Sequence, residues 1–421
     1  MPLNRSPRIA VVGAGPAGLT FASVLLHQLS TAPTAFTPNI TLFERVSARA
    51  SRDQGGSLDI HGPTGQRALR LAGLWDEFLK VARYEGEEMK ILDKTGRVWW
   101  YDDGNHDPPG EGSEGGPGGP PGEADGRPEI DRGILNGLLI DSLPASAIQW
   151  GKAVTALERS ASDAHKLTFS DGSSAEFDLV IGGDGAWSKT RRLLTPVVPH
   201  YSGVTMIEVR LSGVDSRIPH IGAFVGQGSL MACSDNKGMF VQRNSGERVR
   251  VYFSIRCTET WQKDCGIDWN SLAAARVGIR ALFADWDGAL LDLLDRCDDG
   301  IAVRPLYMLP PDDFRWPHAR GVTLIGDSAH LMTPFAGEGV NMAMADGMEL
   351  AEALLDAFKA PNEDPLDSAV KAYEKKMYPR AEEVMKDTWQ SLNAFMNPDA
   401  PQSGLSFFAA MLPPGTMPEF E

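Results

Sequence analysis

The chain has 421 residues, 42% of them apolar and 23% charged, an ordinary globular composition with enough length for two or three packed units. Its 40 Lys and Arg stand against 56 Asp and Glu, and the net charge of −16 argues against nucleic acid or an anionic membrane as a partner. No run of eighteen apolar residues occurs and the first residues lack a signal-peptide pattern, so no membrane span and a cytoplasmic location are expected.

In chain order, "RIAVV" (8–12) is a short apolar run without alternation, the pattern of a strand buried on both faces in a parallel sheet covered by helices. Gly13-x-Gly15-x-x-Gly18 follows directly, at the start of the helical pattern from Pro16 to Leu29. Gly13 allows a tight turn, Gly15 lets a pyrophosphate reach the backbone, and Gly18 lets helix and strand pack closely. The helix N-terminus then offers free N–H groups and partial positive charge to a diphosphate. "NITLFE" (39–44) completes a βαβ unit after a lengthened loop and ends on Glu44. A carboxylate there can accept hydrogen bonds from both hydroxyls of an adenosine ribose, or it can be a solvated strand end.

Residues 103–128 are dense in Gly and Pro with almost no large apolar side chains, so a disordered loop is expected. "FDLVIGG" (177–183) is another buried-type strand, and it leads into Asp184-Gly185 with Ser188 and Arg191 beyond. That pair reads equally as a simple turn or as a junction that contacts a dinucleotide. "YSGVTMIEVRL" (201–211), "GMFVQR" (238–243) and "RVRVYFSIR" (248–256) alternate instead. In the last, Val251, Phe253 and Ile255 share one face while Tyr252 and Ser254 share the other, as in an antiparallel sheet between two environments. This region reads as a second domain inserted into the first. Cys233, Cys257, Cys265 and Cys297 have neither metal-ligand nor redox spacing and read as reduced thiols.

"GVTLIG" (321–326) resumes the buried-type strands and runs into "GDSAHLMTPFAGEGVN", after which a helix begins near Gly339. Asp327 can accept hydrogen bonds from a polyol, and the helix end suits a ring that becomes an anion. His330 reads as a packing or hydrogen-bonding residue in preference to a base. Residues 366–396 carry Val370, Tyr373, Met377, Val384, Leu392 and Phe395 near helical spacing, with Pro379 expected to kink the helix and an irregular tail after Asn397.

"GAGPAG", "GGDGAWSKTRR" and "GDSAHLMTPFAGEGVNMAMADG", in that order, resemble the single-component FAD-dependent aromatic hydroxylases, and residues 8 to 396 can be laid on that plan. Within the family, "GGSLDIHGPTGQRALRLAGL" (55–74), "PEIDRGILNGLLIDSL" (128–143) and "AVKAYEKKMYPRAEE" (369–383) are most similar to the tetracycline-inactivating flavin monooxygenases. The resemblance implies an α/β fold. It has a Rossmann-like FAD-binding domain (GR2-type, para-hydroxybenzoate hydroxylase-like), an inserted antiparallel-sheet substrate domain and a long C-terminal bridging helix. The FAD-binding domain would take residues 1–72, 129–200 and 302–360; the substrate domain 73–128 and 201–301; the bridging helix 366–396; and the irregular tail 397–421.

FAD is the implied cofactor, with NADPH or NADH as reductant, and O2 and a small aromatic or polyketide molecule as substrates of a monomer. The implied cofactor contacts are Gly13, Gly15, Ala17, Gly18, Glu44, Arg45, Gly56, Asp59, Arg132, Asp184, Asp327, Pro334, Gly337, Gly339, Val340 and Asn341. Glu44 would hold the adenosine ribose, Arg132 would lie beside the flavin, and Arg52 would meet NADPH. No side chain need act as a nucleophile, because the flavin carries the hard chemistry. Where the tetracycline-inactivating enzymes present a Gln and a His to the antibiotic, this chain has Glu208 and Tyr252, with Phe335 also at the substrate. The reaction implied is hydroxylation of an electron-rich phenol or enol through oxygen activated at the flavin C4a. A halogenase, epoxidase or reductase, or a flavin-binding protein without turnover, are the alternatives.

Overall fold

The computed structural model describes residues 5–32, 34–49, 55–104, 126–160, 164–298, 300–361 and 363–411. Five parallel strands form the first sheet, in the order Val322–Leu324, Leu179–Gly182, Arg8–Val12, Asn39–Glu44 and Ile148–Trp150. Its apolar runs lack alternation because both faces are covered. Ile9, Val11, Leu179, Ile181 and Leu324 pack under the Pro16–Thr31 and Gly339–Lys359 helices. On the other face Ala10, Val12, Phe43 and Val180 meet Leu157, Phe169 and Phe177.

Helices were expected on both faces, and the second face departs from that. It is covered by an antiparallel meander of Val154–Arg159, His165–Phe169 and Ser174–Phe177. Phe43 holds it, with ring centroids 4.6 Å from Phe169 and 5.6 Å from Phe177. A tilted and edge-on aromatic cluster of this kind buries much area without a helix.

Glycines set the closeness of the helical layer. A Cβ on Gly347 would lie 2.5 Å from the Ala17 carbonyl and 2.7 Å from the Phe21 nitrogen, so the two long helices meet backbone to backbone. A Cβ on Gly326 would lie 3.1 Å from that of Ala17, which puts the turn before Asp327 against the first turn of the Pro16–Thr31 helix.

The second large sheet has seven strands, in the order Ala302–Met308, His200–Ser212, Arg248–Arg256, Lys237–Asn244, Ser229–Ser234, Met89–Leu92 and Val98–Asp102. The alternation in 248–256 has the expected cause. Val251, Phe253 and Ile255 are buried with Ile279, Phe283, Leu290 and Leu293 of the Leu272–Leu282 and Gly288–Asp295 helices, while Tyr252 lies on the opposite face. Two expected boundaries move. Ala302–Met308 pairs into this sheet beside His200–Ser212, and Trp75 and Phe78, expected with the substrate domain, pack in the core of the parallel sheet.

The Pro365–Phe395 helix runs through Pro379. Val370, Tyr373 and Met377 are buried in the core of the parallel sheet, whereas Leu392 packs on Val204 and Phe395 on Cys233 of the other sheet. The tail expected to be irregular contains a further helix, Gln402–Met411. Leu405 is fully buried, Phe408 stacks edge-on against Phe395 at 5.2 Å, and Gly404 lies flat against the Phe395 ring. The expected disordered loop has its residues 105–125 outside the described residues.

Candidate cofactor and substrate site

The glycine loop at 13–18 has three distinct local demands. Gly13 has φ +106°, and a Cβ there would lie 2.2 Å from the Gly183 carbonyl oxygen, inside any permissible contact. Gly18 would strike the Gly13 carbonyl at 2.4 Å. Gly15 has ordinary extended backbone and, among the described residues, nothing within 4 Å of its Cβ position. It faces open space, and the Pro16–Thr31 helix that begins there has no side-chain cap. The amides of Ala17 and Gly18 in the first turn therefore point at that space without a helical acceptor.

Glu44 is 6% exposed at the end of its strand. One carboxylate oxygen accepts from the Ala14 N–H at 3.0 Å and the other from the Val46 N–H at 3.1 Å. It thus fixes the glycine loop from below, a part that the reading of a solvated strand end does not contain. Arg45 beside it is exposed.

The second helix N-terminus is built similarly. Gly337 has φ +71°, Pro334–Ala336 form a 3-10 turn before it, and among the described residues nothing lies within 4 Å of the Gly339 Cβ position. Glu338 precedes the Gly339–Lys359 helix without giving a side-chain cap, and the first helical bond is from Met342 to Glu338. The amides of Gly339, Val340 and Asn341 are left for another acceptor. Asn341 is fully buried and works as a tie: its Oδ1 accepts from the His61 N–H at 2.9 Å and its Nδ2 donates to the Asp59 carbonyl at 3.0 Å. Val340 is buried below it.

Asp327 is exposed at the head of a short turn of helix, Asp327–His330. Beneath it lies a buried ionic group. Asp346 accepts from the Gly326 N–H at 2.7 Å, from His330 Nε2 at 2.6 Å and from Arg380 at 2.8 Å. His330 is 1% exposed and Asp346 fully buried. Burial disfavours the imidazolium, but the adjoining Asp346 carboxylate outweighs it and holds His330 above its ordinary value. Burial likewise opposes ionisation of Asp346, and His330 and Arg380 overcome it. His330 is therefore a buried hydrogen-bonding residue that supports the Asp327 turn.

Asp184 is placed differently. Its carboxylate accepts from the Ser188 hydroxyl at 2.5 Å and the Lys189 N–H at 2.7 Å, and Ser328 hydrogen-bonds both Asp184 and the Gly185 N–H. Arg191, 2% exposed, donates to the carbonyls of Asp327 and Ser328. The carboxylate organises this turn, and the Gly185 backbone, with φ +81°, has none of the described residues within 4 Å of its Cβ position.

The side of the seven-stranded sheet opposite its two helices carries the Pro365–Phe395 helix over Val204 and Cys233, and beside that cover it meets the 334–336 turn. Glu208, Tyr252, Phe240 and Met231 are direct partners in one row across four strands. Gly56 touches this row: a Cβ there would lie 2.3 Å from Gln242 Oε1 and 3.1 Å from the Tyr252 hydroxyl. Arg132, exposed at the start of the Arg132–Asp141 helix, packs its side chain beside Gly55. Phe335 stands edge-on to Phe240 at 5.2 Å and joins the 334–336 turn to the sheet. Glu208 is 2% exposed and held by Arg210 at 2.9 Å, Arg304 at 2.6 Å and Arg250. Burial would raise its carboxyl, but Arg304, Arg210 and Arg250 outweigh this and keep it ionised. Burial, then the Glu208 charge, raises Tyr252, which stays a neutral phenol that can donate.

The elements of this groove suit a long anionic dinucleotide with a flavin at one end. Among the described residues, two helix N-termini lack side-chain caps, Gly15, Gly185 and Gly339 have nothing within 4 Å of their Cβ positions, and Arg132 and Asp327 are exposed. Residues 315–388 match the model of the FAD binding domain family. Over 91% of its length, and 94% of the relative's, the chain is 33% identical to monooxygenase penA of Penicillium thymicola. It is also 30% identical to the 3-amino-4-hydroxybenzoate 2-monooxygenase PtmB3 of Streptomyces platensis, over 96% of this chain and 92% of that one.

The chain belongs to the FAD-dependent aromatic monooxygenases.

The fold of this monooxygenase is also that of the tetracycline destructase Tet(51), with a TM-score of 0.67 and 18% identity over 96% of this chain and 95% of that one. Several of its site residues escape reading from sequence. His61, Gln242, Phe240 and Met231 carry no motif of their own, and only strand register places the last three on the sheet face of Tyr252. The signal for Gln242 is its alternation with Phe240 in "GMFVQR", which shows a shared face but not what that face meets. Arg52, expected at NADPH, lies outside the described residues.

Proposed function

We propose that this flavin monooxygenase uses NAD(P)H and O2 to hydroxylate an electron-rich polycyclic aromatic, phenolic or enolic molecule of the polyketide type. The observation that carries the reading is the mixed row Glu208, Tyr252, Phe240 and Met231, whose Phe240 ring meets Phe335 in the turn just before the Gly339–Lys359 helix. FAD would lie between the 13–18 loop and the 337–341 loop, and when bound it supplies reduction by NAD(P)H and activation of O2. The chain's own part is binding, orientation and exclusion of water. Ala17 and Gly18 amides would hold the diphosphate, Glu44 the adenosine ribose and Asp327 the ribityl side, and the helix N-terminus at Gly339 would offer partial positive charge to the flavin ring. Gly56 and Asp59 would touch the cofactor and Arg132 would lie beside the flavin, as the family resemblance implies.

Phe240, Phe335 and Met231 offer apolar surface to a fused ring system. The Tyr252 hydroxyl can donate to a carbonyl or phenolate oxygen of the substrate, and Glu208 is already committed to its arginines, which orients the Tyr252 side of the pocket. Tyr252→Phe is expected to raise KM about tenfold with little change in FAD affinity, as one hydrogen bond to substrate is lost. Steady-state kinetics on an accepted substrate check this.

The purified protein is expected to be yellow, and Asp327→Ala to bind FAD about tenfold more weakly in a fluorescence titration. The wider test is a screen of fused-ring phenols, tetracyclines included, for substrate-stimulated NAD(P)H consumption with isotopically labelled O2. Labelled oxygen in the product supports hydroxylation; product without it turns the reading to another flavin chemistry.

A further inference from the structure

We propose that His61 is a positioning residue that ties the flavin-facing loop 337–339 to the Ser57–Asp59 strand. The imidazole Nε2 lies 2.8 Å from Asp59 Oδ2, and Nδ1 lies 3.2 Å from Glu338 Oε1. The backbone repeats the link, since the His61 N–H donates to Asn341 and Asn341 donates to the Asp59 carbonyl. Glu338 immediately precedes the helix whose amides open on the groove, between Gly337 and Gly339. Asp59 also approaches that loop directly, 3.6 Å from the Cβ position of Gly337.

Two carboxylates on the two ring nitrogens decide the charge. An ionised carboxylate only accepts, so each nitrogen must donate, and only the imidazolium has two N–H groups. A neutral ring holds one carboxylate and faces the other lone pair to lone pair. The side chain is 13% exposed, so water replaces little of that loss. Burial by itself lowers the pKa, but the bonds to Asp59 and Glu338 outweigh it and hold His61 up to about 9.

Further carboxylates stand around this link. Glu129, opposite Asp59 in the strand pair, is pushed up to about 7, chiefly by burial, and adds negative charge as it ionises. Asp387 of the Pro365–Phe395 helix stands near Glu338. The cations nearby have their own places, Arg83 on Glu129 and Arg132 beside Gly55. His61 thus has a folded pKa above its ordinary 6.5, so its contribution is complete below 6.5 and is lost as pH rises through about 9.

This inference rests on the placement of FAD at the 337–341 loop, and the test separates the two. FAD is titrated into apoprotein from pH 6.5 to about 10, followed by flavin fluorescence, for wild type, His61→Gln and Glu338→Gln. Wild type is expected to lose about tenfold in affinity across that range, while His61→Gln is about tenfold weaker at neutral pH and loses less on raising the pH. Glu338→Gln, which keeps the Asp59 contact, should move the midpoint below 9 and tests the tie even if His61→Gln folds poorly. Variants that match wild type in affinity and pH slope would overturn the positioning role alone, because any loss from titration of FAD itself is common to all three. A wild type that takes up no FAD would overturn the cofactor placement with it.

Discussion

Gly15→Ala is expected to give a protein that folds with wild-type stability but binds FAD roughly 10- to 100-fold more weakly, the cost of displacing one or two charge-assisted amide–phosphate bonds. Gly15 has φ −78° and, among the described residues, no atom within 4 Å of its Cβ position, so a methyl group there meets none of them. Whatever occupies that open space is what the methyl group meets. Gly13→Ala provides the contrast. Its φ of +106° and the Gly183 oxygen 2.2 Å away make alanine both strained and overlapping, and a loss of roughly 3 to 5 kcal/mol in stability is expected without any ligand. Thermal melts of the two apoproteins and FAD titration of each check the pair. A Gly15→Ala protein with undiminished FAD affinity would show that the diphosphate does not cross this turn.

The second large effect is expected at Asp346. Asp346→Ala would leave a buried imidazolium and a guanidinium without their shared carboxylate, and the Gly326 N–H without its acceptor. Breaking a buried ion group on one side typically costs about 3–5 kcal/mol, because the remaining charges stay desolvated. The loss also carries a pH signature. The lowered Asp346 contributes fully above its ordinary 3.8 and less as pH falls below it; the raised His330 contributes fully below its ordinary 6.5 and less as pH rises above it. The difference in melting temperature between wild type and variant should therefore be widest between pH 3.8 and 6.5 and narrow on raising the pH. The Asp327 turn sits on this group, so FAD affinity should fall along with stability. A variant with unchanged stability would mean that His330 and Arg380 find other partners.

The parallel sheet was legible because burial on both faces removes alternation, and "RIAVV" and "DLVIGG" show that directly. The meander over its second face was not, since its cause is Phe43 meeting Phe169 and Phe177 from more than a hundred residues away. The helix at Gln402–Met411 was missed for a similar reason: its support is the Phe395 ring, not its own periodicity. Asp184 shows the limit from the other side. An Asp-Gly pair after a buried strand admits two readings, and the Ser188, Lys189 and Ser328 bonds assign the carboxylate to the turn.

By itself the sequence determined the things that depend on neighbours along the chain. These are the strand–turn–helix at 13–18, the second glycine-rich turn after 326, the alternating strands, and the order of motifs that marks the family. Only the tertiary structure decided how distant segments share a site. Gly326 lies on Ala17, Glu208 stands opposite Tyr252, and His61 reaches Glu338, separations of hundreds or tens of residues that register and helix packing alone bring to contact distance. The physical reason is that local backbone preference acts over a few residues, whereas a charge or a ring finds its partner through the packing of whole layers.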